Sequence, residues 1–594
     1  MKTLYIIISI AIIATVTGCK LSSDNQHHTA NTELAALFDK YYEERLQLFP
    51  LEATSVGDNR YNDKLYADFT DSYRKKLMEF YTRYLTYSEK FSPKTLNEKD
   101  RINHEIFKYE LEMNLEGLTL KDNYMPCNQF YGLPITMGQL GSGQGNQPFK
   151  TVTDYNNWLQ RMKAFPVWAD SAIVYFKKGL DNKVVLPKSL VEKMLPQLQD
   201  MVTNDVTKHL FYGPINTLPT TFSVSDKQTI TANYTAAIQQ QIIPAYKKLH
   251  DFLAKDYLPK ARTSSGINAV AGGSDLYDYL VRFNTSTNTA TEDIYQLGLS
   301  EVKRIKAEME KVKTQVGFTG DMAAFFEFMK TDKQFTPYKT PQEVLAAFET
   351  IHQTMKPHLK TMFNNVPKTP FEIRQTEAFR SASSSAEYNQ GSADGSRPGI
   401  FYVPIIDATK FNTTSGMESL FLHEAIPGHH YQISLQQEDT LLPKFRRFDI
   451  GNNAYVEGWA LYCESLGKEL GLYTNPYQYM GALGDEMHRA IRLVVDVALH
   501  TKGMTREEAI AYMMANEPIS QEGATAEIER YMAIPGQALG YKIGALKISA
   551  LRTKYSQQLG AKFNLAKFHD AILKDGSMPL NVLETKMDEW ASKQ

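Results

Sequence analysis

At 594 residues, 43% of them apolar and 11% aromatic, the chain is globular and long enough for one large core or two to four domains. Charged residues make up 22% but cancel to a net −2, with no basic stripe, which excludes nucleic acid as an electrostatically recruited partner.

Lys2 precedes a thirteen-residue apolar run from Leu4 to Val16. At ~1.5 Å per helical residue this run is too short for a ~30 Å bilayer core, and it reads as the apolar part of a secretory leader. Val16-Thr17-Gly18-Cys19 sets small residues before a cysteine and resembles a bacterial lipobox. Residues 1–18 are then a lipoprotein signal peptide, Cys19 is the lipidated first residue, and residues 19–31 form a polar tether. The expected location is the cell envelope, facing the periplasm. Lys20 gives no inner-membrane retention signal of the aspartate type, which points to the outer membrane. The alternative is an ordinary signal peptide with an incidental cysteine. Cys127 and Cys463 are expected to be two separate buried thiols, although an oxidising compartment would permit a pair.

From Thr32 to about Leu120 apolar and aromatic residues recur at helical spacing (Leu34, Leu37, Phe38, Tyr41, Tyr42), punctuated by Pro50, Pro93 and Gly117. Residues 121–150 are rich in glycine and proline and predict an irregular crossing segment, after which helical patterning returns from Thr151 to Tyr257. A helix is expected to begin at Thr289 or Thr291, with Thr289 and Glu292 as a capping box. A soft boundary near 285 divides an N-terminal helical region, 32–285, from a chemically richer region, 286–594, within one continuous fold. Residues 381–399 are of low complexity, and Ile400 to Ile406 has strand composition, with Pro404 placing it at a sheet edge or ending it. Such an edge strand could pair with an extended substrate, and the loop beside it could act as a lid.

Phe421 to His430 gathers three of the thirteen histidines and a glutamate. His423-Glu424 is similar to the start of the zinc-protease motif His-Glu-x-x-His, but Pro427 stands where the second histidine belongs. On an ideal helix His423 and His430 share a face but are ~10.5 Å apart in rise, awkward for one ion. Pro427 cannot donate to the carbonyl of His423, and Gly428 loosens the backbone, so a kink or bulge is predicted. A two-residue insertion would bring His429 to the usual second-ligand place, leaving His430 to support the ligands from behind or to bind substrate; His430 as ligand is the alternative. Glu457, on the apolar face of a helix over Asn453–Glu464, is the expected third ligand, with Glu464 as fallback. Glu424 is the candidate general base.

Two further groups accompany this run. His488, Arg492, Asp496 and His500 recur every four residues on an apolar helix, which offers Arg492 for substrate and His500 for catalysis, or alternatively an Arg492–Asp496 bridge on a solvated face. In the stretch from Glu529 to Lys542, Tyr531 or Tyr541 could polarise a carbonyl, and Arg530 or Lys542 could meet a substrate carboxylate. Gly503 and the Thr505–Glu508 pair predict a helix end and a new start.

The runs from His423 to Gln432, from Val456 to Tyr462 and from Pro535 to Gly544 together resemble the bacterial family known as domain of unknown function 885, many of whose members look like lipoproteins. Weaker echoes at Glu52-Ala53-Thr54 and Gly298-Leu299 extend the resemblance over nearly all of the mature chain. That family is similar to the mostly helical zinc peptidases of the thimet oligopeptidase, angiotensin-converting enzyme and thermostable carboxypeptidase type. The resemblance implies a zincin-like fold, a Gly-His ligand that matches Gly428-His429, a downstream glutamate ligand and C-terminal tyrosines near the substrate. The expectation is a mainly α protein with a small β-sheet beside the metal helix and a deep cleft. Its expected activity is zinc-dependent hydrolysis of peptide bonds in short peptides, with His423, His429 and Glu457 on Zn2+. The alternatives are a cell-wall peptide amidase, or an inactive lipoprotein that binds peptides or other ligands.

Overall fold

The computed structural model describes residues 30–376, 385–392, 397–448 and 451–594, so Cys19, the tether up to residue 29 and much of the low-complexity segment lie outside it. No helix among the described residues is long and apolar enough to cross a membrane.

The fold is mainly helical, with one small sheet. Helix α1 (Thr32–Leu48) is capped by Asn31, which accepts from the Leu34 N–H, and it buries Leu34, Phe38, Tyr41 and Tyr42 at the spacing read from sequence. Tyr41, Phe80, Tyr84 and Phe107 pack ring against ring, and Phe445, from far along the chain, closes this aromatic cluster. Helix α2 (Val152–Asn182) opens on a capping box between Thr151 and Asp154 and forms the spine of a second cluster. The crossing segment is more regular than expected. Leu133–Gly141 is helical, with Pro134 in the first turn, where its missing N–H costs nothing.

The boundary near 285 does not separate two cores. Helix α3 (Gly273–Thr285) buries Leu276, Tyr277 and Val281 in the same cluster as Ile102, Phe401, Phe421 and Leu539. Helix α4 (Thr291–Gln315) begins where predicted, but Thr289 makes no capping box; Glu292 turns instead to Gln296 and Lys502.

Strands β1 (Phe371–Gln375), β2 (Glu387–Asn389) and β3 (Gly399–Val403) form a sheet in the order β1-β3-β2, with β1 parallel and β2 antiparallel to β3. Of the two outcomes expected of Pro404, an edge strand or a strand that it ends, the second is found: the strand is central and stops at Val403. Pro404 lies just past its end, so the missing N–H leaves the ladder intact, and β2 is an edge among the described residues.

Four helices frame the site. These are α5 (Met417–Glu424), α6 (His429–Glu438), α7 (Asn453–Glu464) and the long α8 (Pro476–Thr501), which is buried throughout from Ala490 to His500. Gly503, at φ +72, ends α8, and Thr505 with Glu508 forms the predicted capping box of the next helix. Helix α9 (Leu539–Leu559) crosses α7 where glycine meets glycine. A Cβ on Gly544 would stand 1.8 Å from the Ala454 carbonyl oxygen, and one on Gly458 2.5 Å from Gly544 Cα. Gly544→Ala is therefore expected to destabilise the protein by at least about 2 kcal/mol, by forcing two backbones apart. The check is the shift in the urea unfolding midpoint, and an unchanged midpoint would reject this close crossing.

Candidate metal centre

The local fold of the His-Glu run follows from Pro427 and Gly428. Helix α5 stops at Glu424, and Ala425–Gly428 form a non-helical link, with a cis Ile426–Pro427 bond, before α6 resumes at His429. This is a full break rather than a bulge in a continuous helix. Gly428 is folded back so tightly over the end of α5 that a Cβ on it would lie 1.9 Å from the His423 carbonyl oxygen. Trp459 of α7, wholly buried, donates its indole N–H to the Pro427 carbonyl at 2.9 Å and pins the link from below.

The break brings His423 and His429 together. Their ring centroids are 4.9 Å apart and nearly perpendicular, whereas six residues of unbroken helix would separate them by ~9 Å in rise alone. Both rings turn Nε2 toward Glu457 Oε2, at 3.5 Å from His423 and 3.6 Å from His429. Two donors each ~2.1 Å from one tetrahedral ion lie about 3.4 Å apart, so these spacings fit zinc. One ligand atom from each of the three residues falls within 4.8 Å of the others.

Surrounding groups complete the fit. Glu464, two turns further along the same face of α7 as Glu457, accepts from His423 Nδ1 at 2.7 Å, the carboxylate–histidine arrangement that orients a metal-binding imidazole. Arg489 approaches Glu464 at 3.8 Å and Asp485 at 3.3 Å, and Ser419 donates to Asp485, so this buried carboxylate is tied into a network. Burial disfavours the imidazolium of His423, yet Glu457 and Glu464 outweigh it and hold the ring up to about 10. His429 is pushed down to about 4 by burial, so its ring stays neutral. Burial also opposes the charge on Glu457, but His423 and His429 hold it at about 2. Glu424, half-buried at the end of α5, is raised by desolvation to about 7, with Glu457 adding to the rise and His423 and Arg489 opposing it.

Tyr541 stands over the opposite side of the pair, its ring stacked toward His423 at 6.4 Å. The Arg492 guanidinium lies 4.7 Å from the Tyr541 centroid and fixes the ring's place. Burial and the nearby Glu457 raise its phenol above the ordinary value, so it remains a donor.

These motifs coincide with a known family. The profile of the bacterial proteins of unknown function, domain of unknown function 885, matches residues 50–587. The chain belongs to that family. The crystal structure of "the putative lipoprotein from Colwellia psychrerythraea" is similar at a TM-score of 0.87 and 26% identity, covering 95% of this chain and 99% of that one. A "putative lipoprotein of unknown function" from Shewanella oneidensis shares the fold at a TM-score of 0.72 and 20% identity, over 94% and 100% of the two chains. No curated protein matches the chain.

Several expected site residues of this family member are committed elsewhere. His500 is fully buried, with Nδ1 accepting from the Ile267 N–H and Nε2 donating to the Tyr531 carbonyl, so it joins backbones and has no proton to exchange. Tyr531, also fully buried, accepts from Arg492 Nε at 3.0 Å and donates to Glu527 at 2.6 Å; it cannot face a carbonyl. Lys542, one residue on from Tyr541 and so turned to another face of α9, is buried between Glu301 at 2.9 Å and Glu486 at 2.7 Å. His430 points to the sheet, with Nδ1 3.0 Å from the Tyr388 hydroxyl and its ring against Phe371. Arg492 spends its charge on Glu527 and its face on Tyr541, which makes it a positioning residue rather than a substrate contact. Nor is the α8 stripe solvated. Asp496 is buried and accepts from the Tyr277 hydroxyl and the Gly536 N–H, holding the Pro535-Gly536 turn that leads to Tyr541.

Arg530 pairs with Glu527 at 3.5 Å, donates to Gln537 at 2.9 Å and lies 5.6 Å from the ring of Phe130, which is 51% exposed. Cys127 and Cys463 are separate buried thiols. The reading from sequence missed Glu527, which gathers Arg492, Tyr531 and His488. The signal was there, since Glu527 precedes Tyr531 by one helical turn. It also missed Arg489, one position off the four-residue stripe, and Tyr388, whose backbone N–H faces Glu424. A three-residue strand carries too little pattern to reveal Tyr388.

Purified protein expressed with zinc is expected to carry the metal near stoichiometrically, to lose it in His429→Ala and to keep it in His430→Ala, as read by elemental analysis. The reverse pattern would reject this ligand set. Glu464→Gln is expected to weaken zinc binding about 10–100-fold, measured by competition with a chelator of known affinity.

Proposed function

We propose that this protein is a zinc-dependent peptidase acting on short, extended peptides at the periplasmic face of a bacterial membrane, anchored through a lipid on Cys19. One observation carries the reading: His423, His429 and Glu457 converge at ligand spacing, with Glu424 beside them on the same broken helix. The mainly helical fold, with a sheet against the metal helices, supports a zincin-like architecture of the thimet oligopeptidase type. The similar chains called putative lipoproteins support the anchor, and Lys20 supports the outer membrane.

His423, His429 and Glu457 would hold the ion, and Glu464 would fix the His423 ring through Nδ1. A bound zinc ion supplies Lewis acidity and brings the ionisation of water near neutrality. Glu424, beside the donor set, would take the proton at its carboxylate and pass it to the leaving amine. Tyr541 donates its phenol hydrogen bond where negative charge develops on the scissile carbonyl, held in place by Arg492. An extended peptide adds along the outer side of β2, beside Glu424. Arg530, held by Glu527 and Gln537, would meet a substrate carboxylate by exchanging one of these partners.

Quenched fluorescent peptides with free and with blocked ends, assayed with and without a chelator, test this directly. Glu424→Gln is expected to lower kcat by about 10²–10⁴-fold while keeping its zinc. Tyr541→Phe is expected to cost about 10²–10³ in kcat with KM little changed. Cleavage that survives both the chelator and Glu424→Gln would reject the peptidase reading.

A further inference from the structure

Residues 127–132 form a loop of the N-terminal region that docks on the end of the helix Gln521–Ala533, just before the turn that leads to Tyr541. The Asn128 amide donates to the Ala533 carbonyl at 2.9 Å, and that of Gln129 to the Glu529 carbonyl at 3.2 Å. The loop is also fixed within itself. Asn128 Oδ1 accepts from the N–H groups of Phe130 and Tyr131, at 2.8 and 2.7 Å, and the Asn128 N–H donates to the Tyr131 carbonyl at 2.8 Å. Gly132, at φ +132, closes the loop so tightly that a Cβ on it would lie 2.3 Å from Cys127 Cβ.

This framework holds two aromatic side chains out of the core. Phe130 is 51% exposed and Tyr131 71%, and neither joins a hydrophobic cluster of the described residues. The Arg530 guanidinium lies over one face of the Phe130 ring, 5.6 Å from its centroid, and the rest of that ring stays open. Tyr131 stands in a concavity: despite its exposure, surrounding protein desolvates its phenol and raises it, with Asp68, Asp122 and Glu52 adding to the rise. Adjacent rings held in solvent by a rigid loop mark a place where apolar surface is received. The route from there to the metal centre is short. Arg530 donates to Gln537 Oε1 at 2.9 Å, and Gln537 hydrogen-bonds the Tyr541 hydroxyl. These contacts set Phe130 within about 16 Å of that hydroxyl, roughly four to five residues of extended chain.

We propose that Phe130 and Tyr131 form the subsite that selects the substrate, receiving one aromatic or large aliphatic side chain of the peptide within about five residues of the scissile bond. The peptidase reading supplies that bond, and the subsite rests on it. The substrate class is thereby narrowed to short peptides with a bulky apolar residue near the point of cleavage.

Two measurements test the subsite. The first is calorimetric titration of the Glu424→Gln protein, purified with zinc, with end-blocked alanine hexapeptides that carry one phenylalanine or one glycine. The phenylalanine peptide is expected to bind at least about tenfold more tightly. Phe130→Ala and Tyr131→Ala, both at exposed positions, are each expected to cut that preference at least about threefold, with zinc content and circular dichroism unchanged. The second uses the wild type: moving the phenylalanine along the hexapeptide is expected to move the cleaved bond with it, at a constant offset that Phe130→Ala loses. Equal binding of the two peptides, binding of neither, a preference that survives both substitutions together, or a cleaved bond indifferent to the phenylalanine would each overturn the assignment. Selective binding that both variants lose, with no cleavage by the wild type, would reject the peptidase reading and uphold the subsite.

Discussion

The end of α5 at Glu424 is the constraint on which the rest depends. Two imidazoles six residues apart cannot share an ion along a regular helix, and here they do converge because four residues leave the helical path. Pro427 removes the N–H that would have continued the ladder, Gly428 lets the chain cross the His423 carbonyl, and Trp459 fastens the crossing by a single hydrogen bond. The same helix α7 that supplies Trp459 supplies Glu457, and Gly458 between them gives α9 its close approach. Three adjacent residues thus hold the break, complete the donor set and admit Tyr541.

Charge buried at this density has to be balanced locally. Glu424, Glu457, Glu464 and Asp485 lie within a core that also contains Arg489 and Arg492; Glu457, Glu464 and Asp485 each find an imidazole, a guanidinium or a hydroxyl, whereas Glu424 meets the backbone N–H of Tyr388. The outcome is differentiation. Glu457 is held strongly acidic by two imidazoles, whereas Glu424, with more burial than compensation, is raised toward neutrality. Two glutamates on neighbouring helices are thereby driven to opposite acidities by their surroundings.

Groups that looked chemical in sequence and proved structural share one property: their polar atoms are fully used by the fold. His500 joins two backbone segments, Asp496 holds the Pro535-Gly536 turn, and Lys542 neutralises Glu301 and Glu486. They are not incidental to the site, because the turn and the ion pairs set where α9 starts and hence where Tyr541 points. Their cost if removed would fall on stability, through an unpaired buried charge or a lost network.

The sequence by itself determined the helical class, helical pattern from Thr32 and again from Thr151, the cap at Thr505, an irregularity at Pro427-Gly428 and a set of candidate ligand residues. Each of these rests on short-range chemistry: caps, proline's missing N–H, glycine's missing Cβ and helical periodicity. Family membership was likewise legible in three motifs. Only the tertiary structure decided that His429 faces Glu457 while His430 faces the sheet, since adjacent residues on a helix differ by about 100° and what each meets depends on distant packing. It alone placed β3 in the middle of the sheet, separated Tyr541 from Tyr531 and turned Arg492 and His500 to structural work, because long-range pairing of buried charge leaves no periodic trace in one chain.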